Sequence, residues 1–134
     1  MKNIVSGTDM KKVDSYTINK IGIPSLVLME RAALSVTELI CKNESKDKTV
    51  LVVAGIGNNG ADGLAIGRML YLRGYDTCIY ILGDIDNGGA EFKQQLKILQ
   101  NLNVPVLSSL KNTDIVVDAI FGIGLSRNLE GIYK

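Results

Sequence analysis

The sequence predicts an α/β fold with a doubly wound, mainly parallel sheet. From residue 50 onward, short apolar runs of strand length alternate with segments of helical periodicity. Such alternation is typical of parallel strands joined by right-handed crossovers. A glycine-rich turn follows the first of these strands and precedes a helix. This arrangement is typical of folds that hold a phosphate group at a helix N-terminus.

Length and composition restrict the class of protein. The 134 residues have room for one domain with a hydrophobic core. A net charge of +1 gives no reason to expect a nucleic-acid or membrane partner. The apolar runs are too short to span a bilayer and residues 1–10 do not resemble a signal peptide, so we expect a cytoplasmic protein. The absence of histidine excludes a histidine base and a histidine metal ligand.

The two cysteines, Cys41 and Cys78, could pair with each other. Two cysteines in a chain of this kind do not make a disulfide framework, however. We therefore expect free, buried thiols in a reducing cytosol.

Two helices are predicted before the first strand. Thr8 is placed to cap the first helix, which Gly22 and the following residues end. The second helix is predicted to start at Pro24–Ser25 and to run to about Cys41. Its apolar residues nearly encircle it, so we expect it to be packed on more than one side.

Beyond a polar loop at residues 42–48, strands and helices alternate. The predicted elements are strand Val50–Ala54, helix Ala61–Arg73, strand Thr77–Leu82, helix Ala90–Asn103 (with Phe92, Leu96 and Leu99 facing inward), strand Val104–Leu107 and strand Asp114–Phe121. The simplest winding gives the strand order 3-2-1-4, with the topological switch point between the first and fourth strands. Ligands of such sheets bind at the carboxyl ends of the strands at that point.

Two glycine-rich segments, Gly55–Gly63 and Gly122–Asn128, are predicted to meet at the switch point. The first contains the dinucleotide pattern G-x-G-x-x-G, and Asp84 lies at the end of the second strand, where a ribose-binding acid would sit. Taken alone, this pattern favours a NAD(P)-dependent dehydrogenase. A tight turn that binds no ligand is the alternative.

Polar side chains in and near these segments suggest a site for polar groups or a cation as well as phosphate. Asn58, Asn59 and Asp62 lie in the first segment. Alternatively, the asparagines tolerate left-handed turn geometry and the aspartate stabilises the first helical turn. Asp118 falls on or beside a buried strand and needs a cation or a donor such as a backbone amide. Arg127 could hold a phosphate bidentately or be a solvated surface residue.

Three motifs resemble those of the YjeF N-terminal domain family, the NAD(P)H-hydrate epimerases. Gly57–Gly63 is similar to the family's G-N-N-G-G-D-G loop, and Asp118–Arg127 is similar to its D-A-L-F-G-T-G-L-x-R motif. Asp14–Glu30 resembles the family's N-terminal pattern. The resemblance implies a Rossmann-like fold with two N-terminal helices, in a single domain over residues 1–134.

The resemblance also implies an activity and its binding residues. The family interconverts the R and S forms of hydrated NADH and NADPH in nicotinamide nucleotide repair. Asn59 and Asp118 are the implied ligands of a potassium ion, and hard oxygen ligands suit that cation. The implied partner is a NAD(P)H-hydrate dehydratase, fused or separate. The implied substrate-binding residues are Asn58, Asn59, Gly60, Ala61, Asp62, Gly122, Ile123, Gly124, Leu125, Ser126, Arg127 and Asn128.

The sequence departs from the family pattern at three places. Ala61 stands where the family has glycine, and Ile123 stands where it has threonine. The family domain normally continues past the position of Lys134 with a V-D-[IV]-P-S-G segment, which supplies an aspartate at the reacting centre and a serine at the cation. We therefore expect this chain to be the N-terminal portion of the domain, with the catalytic aspartate beyond Lys134 and Asp62 in a binding role.

We also expect the chain to form a homo-oligomer and to show little epimerase activity alone. If the order is 3-2-1-4, strand Asp114–Phe121 becomes an edge although its composition is that of an interior strand. The nearly all-round apolar second helix also requires further contacts. A non-catalytic scaffold is the alternative from another class of function, and retention of the Asn-Asn-Gly-x-Asp loop argues against it.

Overall fold

The computed structural model describes residues 22–126. The first predicted helix with its cap Thr8 therefore lies outside the described residues, as do Arg127 and Asn128 of the second glycine segment.

The described residues form three helices and one five-stranded sheet. The helices are α1 (Ser25–Asn43), α2 (Asn58–Leu72) and α3 (Ala90–Asn101). The strands are β1 (Thr49–Ala54), β2 (Asp76–Ile81), β3 (Val106–Leu107), β4 (Ile115–Ala119) and β5 (Gly124–Ser126). The sheet order is β3-β2-β1-β4-β5, in which β1 to β4 pair in parallel and β5 is antiparallel to β4. The predicted α/β class and the order 3-2-1-4 of the parallel strands are confirmed.

Most predicted boundaries agree with the structure to within two residues, but α2 begins three residues earlier than predicted. Gly57 takes the N-cap position with an extended backbone (φ −95°, ψ −159°), and the amide of Ala61 donates to its carbonyl at 2.9 Å. The two asparagines therefore form the first helical turn instead of the preceding loop. A pattern based on apolar periodicity starts the helix too late because its first turn is polar.

The predicted edge position of the fourth strand is wrong. The chain turns back after β4, and Gly124–Ser126 pairs with residues 116–118 of that strand. The same finding corrects the prediction of a continuous loop over residues 122–128, because three of its residues are in β5.

The sheet separates two unequal apolar clusters. The larger cluster joins alternate residues of β1, β2 and β4 to all three helices of the described chain. Phe92, Leu96 and Leu99 of α3 belong to it, so their predicted inward orientation is confirmed. The smaller cluster occupies the opposite sheet face and contains the buried residues Leu51, Val53, Cys78 and Val116.

Glycines on one side of α2 let this helix lie very close to the sheet. A Cβ atom on Gly63 would lie 2.4 Å from the Cβ of Ala119, and one on Gly67 would lie 2.6 Å from the Cδ1 of Ile79. Both distances are far below a normal carbon–carbon contact, so neither site admits a side chain without movement. This close packing fixes α2 across the sheet and brings its N-terminus to the carboxyl edge of β1 and β4.

Candidate functional site

The loop after β1 and the turn after β4 meet at the carboxyl edge of the sheet. The amide of Gly55 donates to the carbonyl of Ala119 at 3.1 Å. A Cβ atom on Gly55 would lie 3.1 Å from the carbonyl oxygen of Ile120. The two segments therefore meet at the switch point that the strand order predicted.

The loop after β1 is also held from the side of β2. The amide of Leu82 donates to the carbonyl of Ala54 at 2.8 Å, and the amide of Gly89 donates to the carbonyl of Ile56 at 3.1 Å. Gly83 adopts a φ of +130° against the side chain of Ile56. Backbone bonds on both sides thus preorganise the loop. The sequence did not lead us to predict this contact. Gly83 and the glycine pair before α3 were the features that could have indicated it.

The N-terminus of α2 opens at this edge. Gly57 caps the helix without a side-chain hydrogen bond, and no atom lies within 4 Å of the position that its Cβ would occupy. The first amides of a helix have no acceptor within the helix, and the helix dipole adds partial positive charge there. The exposed backbone at Gly57 gives an anionic group room to approach these amides.

Asn58 and Asn59 lie in the first turn of α2, where the former is exposed and the latter half-buried. Among residues 22–126, the non-glycine residue with a positive φ is Asn103. The alternative that the two asparagines serve a left-handed turn is therefore wrong. Their side chains are placed at the helix end that faces the carboxyl edge of the sheet.

Ala61 and Asp62 lie further into the helix than predicted. Ala61 is fully buried within α2, so alanine in place of the family's glycine fits the helical backbone. Asp62 is half-buried, and the first turn of α2 contains no acidic residue. Asp62 is therefore not placed to compensate the helix dipole at that turn.

Asp118 is the penultimate residue of β4 and is half-buried. Its Oδ1 accepts a hydrogen bond from the amide of Ile120 at 3.1 Å. The alternative partner, a neighbouring backbone amide, is therefore present and engages one carboxylate oxygen. The Oδ2 of Asp118 accepts no hydrogen bond within residues 22–126, which leaves it able to bind another donor or a cation.

The two predicted potassium ligands approach the edge from different sides. Asp118 alternates with Ala119, whose Cβ faces α2, so Asp118 belongs to the face of the smaller cluster. Asn59 is on α2, which packs on the other face. Within the described range, no group of three or more His, Cys, Asp or Glu residues is placed to hold a metal ion. An amide and a carboxylate do not require such a group, and their oxygens suit a hard cation.

The remaining residues of the second segment have different positions. Ile123 is half-buried and packs against the larger cluster together with Ile56. Gly122 has no atom within 4 Å of its Cβ position, and the Phe121 side chain is 94% exposed. Gly124–Ser126 forms β5, whose backbone runs back along β4 away from the carboxyl edge. The part of this segment at the edge is therefore the turn itself.

Asp84 follows β2 at the position expected for a ribose-binding acid, but it acts as a cap. Its Oδ1 accepts from the amide of Asp86 at 3.1 Å, and its Oδ2 accepts from the Nδ2 of Asn87 at 3.3 Å. These bonds stabilise a short 3₁₀ turn over Ile85–Asn87. Both carboxylate oxygens are engaged locally, which weakens the dehydrogenase interpretation.

Both predicted free cysteines are free in the structure. Cys78 is buried, and burial raises the pKa of its thiol, whereas Cys41 is only half-buried. In the part of the chain that the structure describes, no helix has the length and apolar character needed to cross a membrane.

Comparison with known proteins agrees with this architecture. Residues 25–134 match the family described as YjeF-related protein N-terminus. The chain belongs to this family.

The proteins that are similar to this chain in sequence include named enzymes. It is 49% identical over 131 residues to the NAD(P)H-hydrate epimerase of Oenococcus oeni, covering 95% of this chain and 62% of that protein. It is 42% identical over 134 residues to the NAD(P)H-hydrate epimerase of Levilactobacillus brevis, covering 98% of this chain and 62% of that protein. The chain thus spans about three-fifths of the length of the curated relatives it matches.

A solved structure gives a similar result. The crystal structure of the yeast protein YNL200c superposes with a TM-score of 0.71 at 32% sequence identity. The match covers 90% of this chain and 57% of the yeast chain.

Proposed function

We propose that this protein acts as an NAD(P)H-hydrate epimerase, which interconverts the R and S forms of hydrated NADH and NADPH. The observation that carries the proposal is the open N-terminus of α2, which lies beside the turn that follows β4 at the switch point. The names of its relatives support the choice of substrate.

We assign binding roles to residues 58–62 and 122–128. The first amides of α2 and the open backbone at Gly57 suit the phosphates of a dinucleotide, because they combine unpaired donors with the positive end of the helix dipole. The amide side chains of Asn58 and Asn59 add donors and acceptors for its polar groups. Inversion at C6 needs proton movement or transient loss of the hydroxyl group, assisted by an acid–base group. We assign that step to none of these residues, and Asp62 is proposed to orient the ligand.

We propose that Asn59 and Asp118 hold a potassium ion at the same edge. The support is the chemistry of an amide oxygen and a half-buried carboxylate, of which Oδ1 already accepts the Ile120 amide. Potassium bound there would offset the negative charge of Asp118 beside an anionic ligand.

Two further proposals concern partners and compartment. We propose that a NAD(P)H-hydrate dehydratase, fused or separate, consumes the S form. We also propose that the protein self-associates. Free thiols at Cys41 and Cys78 fit a cytoplasmic location, since that compartment keeps thiols reduced.

Nuclear magnetic resonance tests the binding proposal directly. The ¹⁵N-labelled protein is titrated with NADPH in potassium buffer, and amide shifts are expected in residues 55–62 and 120–124. Shifts centred elsewhere, for example on α3, would contradict the proposal. A parallel assay follows conversion of R-form NADPH hydrate to the S form by coupling to a dehydratase.

The same experiments separate the alternatives. A NAD(P)-dependent dehydrogenase would change nicotinamide absorbance with an oxidisable substrate, and the local bonds of Asp84 count against this function. A non-catalytic YjeF-type scaffold would show no nucleotide shifts at this edge. The shifts separate the two functions, because little turnover is expected of this chain alone in either case.

A further inference from the structure

Phe121 is far more exposed than any other large apolar residue within the described range. It is 94% exposed, whereas the other exposed apolar residues of this range lie between 39% and 59%. Burial of an aromatic side chain is one of the largest favourable contributions that a single residue makes to folding. The fold forgoes that contribution at Phe121, which leaves the ring able to contact a ligand.

The backbone that carries this ring is held in place. The amide of Ile120 donates to the carboxylate of Asp118 at 3.1 Å, and the amide of Gly55 donates to the carbonyl of Ala119 at 3.1 Å. A Cβ atom on Gly55 would lie 3.1 Å from the carbonyl oxygen of Ile120, so the loop after β1 packs on the residue before Phe121. A side chain on such a backbone loses less conformational entropy on binding than one on a mobile loop.

Phe121 and the open N-terminus of α2 lie at the same edge of the sheet. β1 and β4 are neighbouring strands, about 5 Å apart, and the loop after β1 leads into α2. Among residues 22–126, no atom beyond the chain neighbours lies within 4 Å of the Cβ positions of Gly57 and Gly122. Gly57 is at the helix end and Gly122 follows Phe121. A ligand whose phosphates meet the helix amides therefore has room to reach the ring.

The two rings of hydrated NADH and NADPH differ in how well they suit an exposed aromatic side chain. Adenine is flat and aromatic, and bases stack on aromatic side chains of proteins. The hydrated nicotinamide ring is not flat, because C6 carries a hydroxyl group and is tetrahedral. Its reacting carbon also needs protection from water, which a ring as exposed as Phe121 does not provide. The adenine ring is therefore the better match.

We propose that Phe121 binds the adenine ring of the dinucleotide by stacking, while the first amides of α2 bind its phosphates. The inference rests on the proposed nucleotide function and adds a residue that recognises the non-reacting end of the ligand. Phe121 is thus a binding residue without a part in the acid–base chemistry. Because NADH and NADPH share adenine, this contact favours both of them over fragments that lack the base.

Nucleotide fragments test which ring Phe121 contacts. ADP-ribose contains adenine and the diphosphate, whereas nicotinamide mononucleotide lacks adenine. Phe121→Ala should raise the dissociation constant of ADP-ribose about tenfold and change that of the mononucleotide by less than about twofold. Phe121→Leu should weaken ADP-ribose binding nearly as much, because leucine keeps apolar surface without a flat face, and Phe121→Tyr should preserve it. Isothermal titration calorimetry measures these constants.

Phe121→Trp supplies a second readout, because the chain contains no other tryptophan. Its fluorescence should be that of an indole in water, and ADP-ribose should shift the emission to shorter wavelength or quench it by stacking. Emission typical of a buried indole before any nucleotide is added would show that protein covers position 121. That result would overturn the proposal.

Leu72→Ala is the matched control, because Leu72 is 59% exposed and lies at the opposite end of α2. It should bind ADP-ribose like the unaltered chain, and unfolding midpoints should show that every variant is folded. Equal ADP-ribose affinity of Phe121→Ala and the unaltered chain, with NADPH still shifting the amides of residues 55–62, would overturn the stacking role and leave the proposed function standing. A larger loss for the mononucleotide than for ADP-ribose would overturn the assignment to adenine. Absence of amide shifts at this edge in the unaltered chain would overturn the proposed function and this inference with it.

Discussion

Gly60 determines how closely the first turn of α2 approaches the loop after β1. A Cβ atom on this residue would lie 1.7 Å from the carbonyl oxygen of Gly55. The obstacle is backbone, which cannot turn aside as the end of a long side chain can. The helix and the loop can therefore approach each other this closely at the candidate site only because residue 60 is a glycine.

Gly60→Ala should lower the free energy of unfolding by about 3 kcal/mol or more, because the loop must move to admit the methyl group. It should also weaken nucleotide binding, since the displaced loop contributes to the binding edge. Chemical denaturation and nucleotide titration measure the two effects.

Gly57→Ala is the control for this substitution. Its Cβ would meet no atom within 4 Å and its φ of −95° suits alanine, so it should cost below about 1 kcal/mol. Equal loss of stability in the two variants would show that close contact with Gly55 does not explain the glycine at position 60.

At the scale of residues, the sequence predicted a loop after β1 and a turn after β4 that meet at the edge, but not what each residue there does. The G-x-G-x-x-G pattern placed a turn after β1, yet it could not reveal that Gly60 packs on Gly55. Asp84 matched the position of a ribose-binding acid, and only the structure shows both its oxygens bonded to residues 86 and 87. These roles depend on contacts with neighbouring backbone and side chains, which residue type and spacing do not encode.

A buried tyrosine connects the end of α1 to the start of β2. The hydroxyl of Tyr75 donates to the carbonyl of Glu44 at 2.6 Å, and Glu44 caps the C-terminus of α1. Burial, reinforced by the neighbouring Cys41, raises the pKa of Tyr75 from 10.0 to about 12. The neutral hydroxyl is thus favoured in the folded protein.

Tyr75→Phe should lower the free energy of unfolding by about 1 kcal/mol near neutral pH, the usual contribution of one hydrogen bond. The raised pKa adds a pH dependence. The stabilisation that comes from the raised pKa is complete below pH 10, where Tyr75 is neutral in both the folded and the unfolded state. It is lost as the pH rises towards about 12.

The variant lacks this ionisation, so its stability should fall less steeply than that of the unaltered protein over that alkaline range. Urea denaturation at a series of pH values measures both slopes. Tyr80→Phe is the control, because the hydroxyl of Tyr80 makes no hydrogen bond within residues 22–126. It should change stability at neutral pH by under about 0.5 kcal/mol. Parallel slopes for Tyr75→Phe and the unaltered protein would contradict the assignment.

At the scale of elements, the sequence predicted the parallel strands well and missed the antiparallel one. The apolar composition of β1, β2 and β4 is typical of strands covered on both faces, and these three were recognised from it. β5 has three residues, one of them glycine, and no apolar run marks it. Its pairing with β4 removes the edge-strand argument for self-association. The argument that remains is the partly exposed apolar face of α1.

The whole molecule brings the two predicted cation ligands to one edge from opposite faces of the sheet. Asn59 depends on α2, which packs through Gly63 onto Ala119, and Asp118 is the preceding residue of the same strand. The register of β1 with β4 therefore fixes both ligands relative to the loop at residues 55–57. Strand order could be predicted from the winding of the chain, whereas this register could not, because it depends on how the strands pack.

This arrangement should couple potassium and nucleotide binding. If potassium raises nucleotide affinity by a given factor, the nucleotide must raise potassium affinity by the same factor. Thermal unfolding should therefore show a larger stabilisation by NADPH in potassium chloride than in choline chloride of equal ionic strength, since each bound ligand stabilises the folded state. Asp118→Asn keeps the Oδ1 that accepts the Ile120 amide while it removes the negative charge. This variant should bind NADPH without the added effect of potassium, and identical potassium titrations for it and the unaltered protein would rule out Asp118 as a ligand.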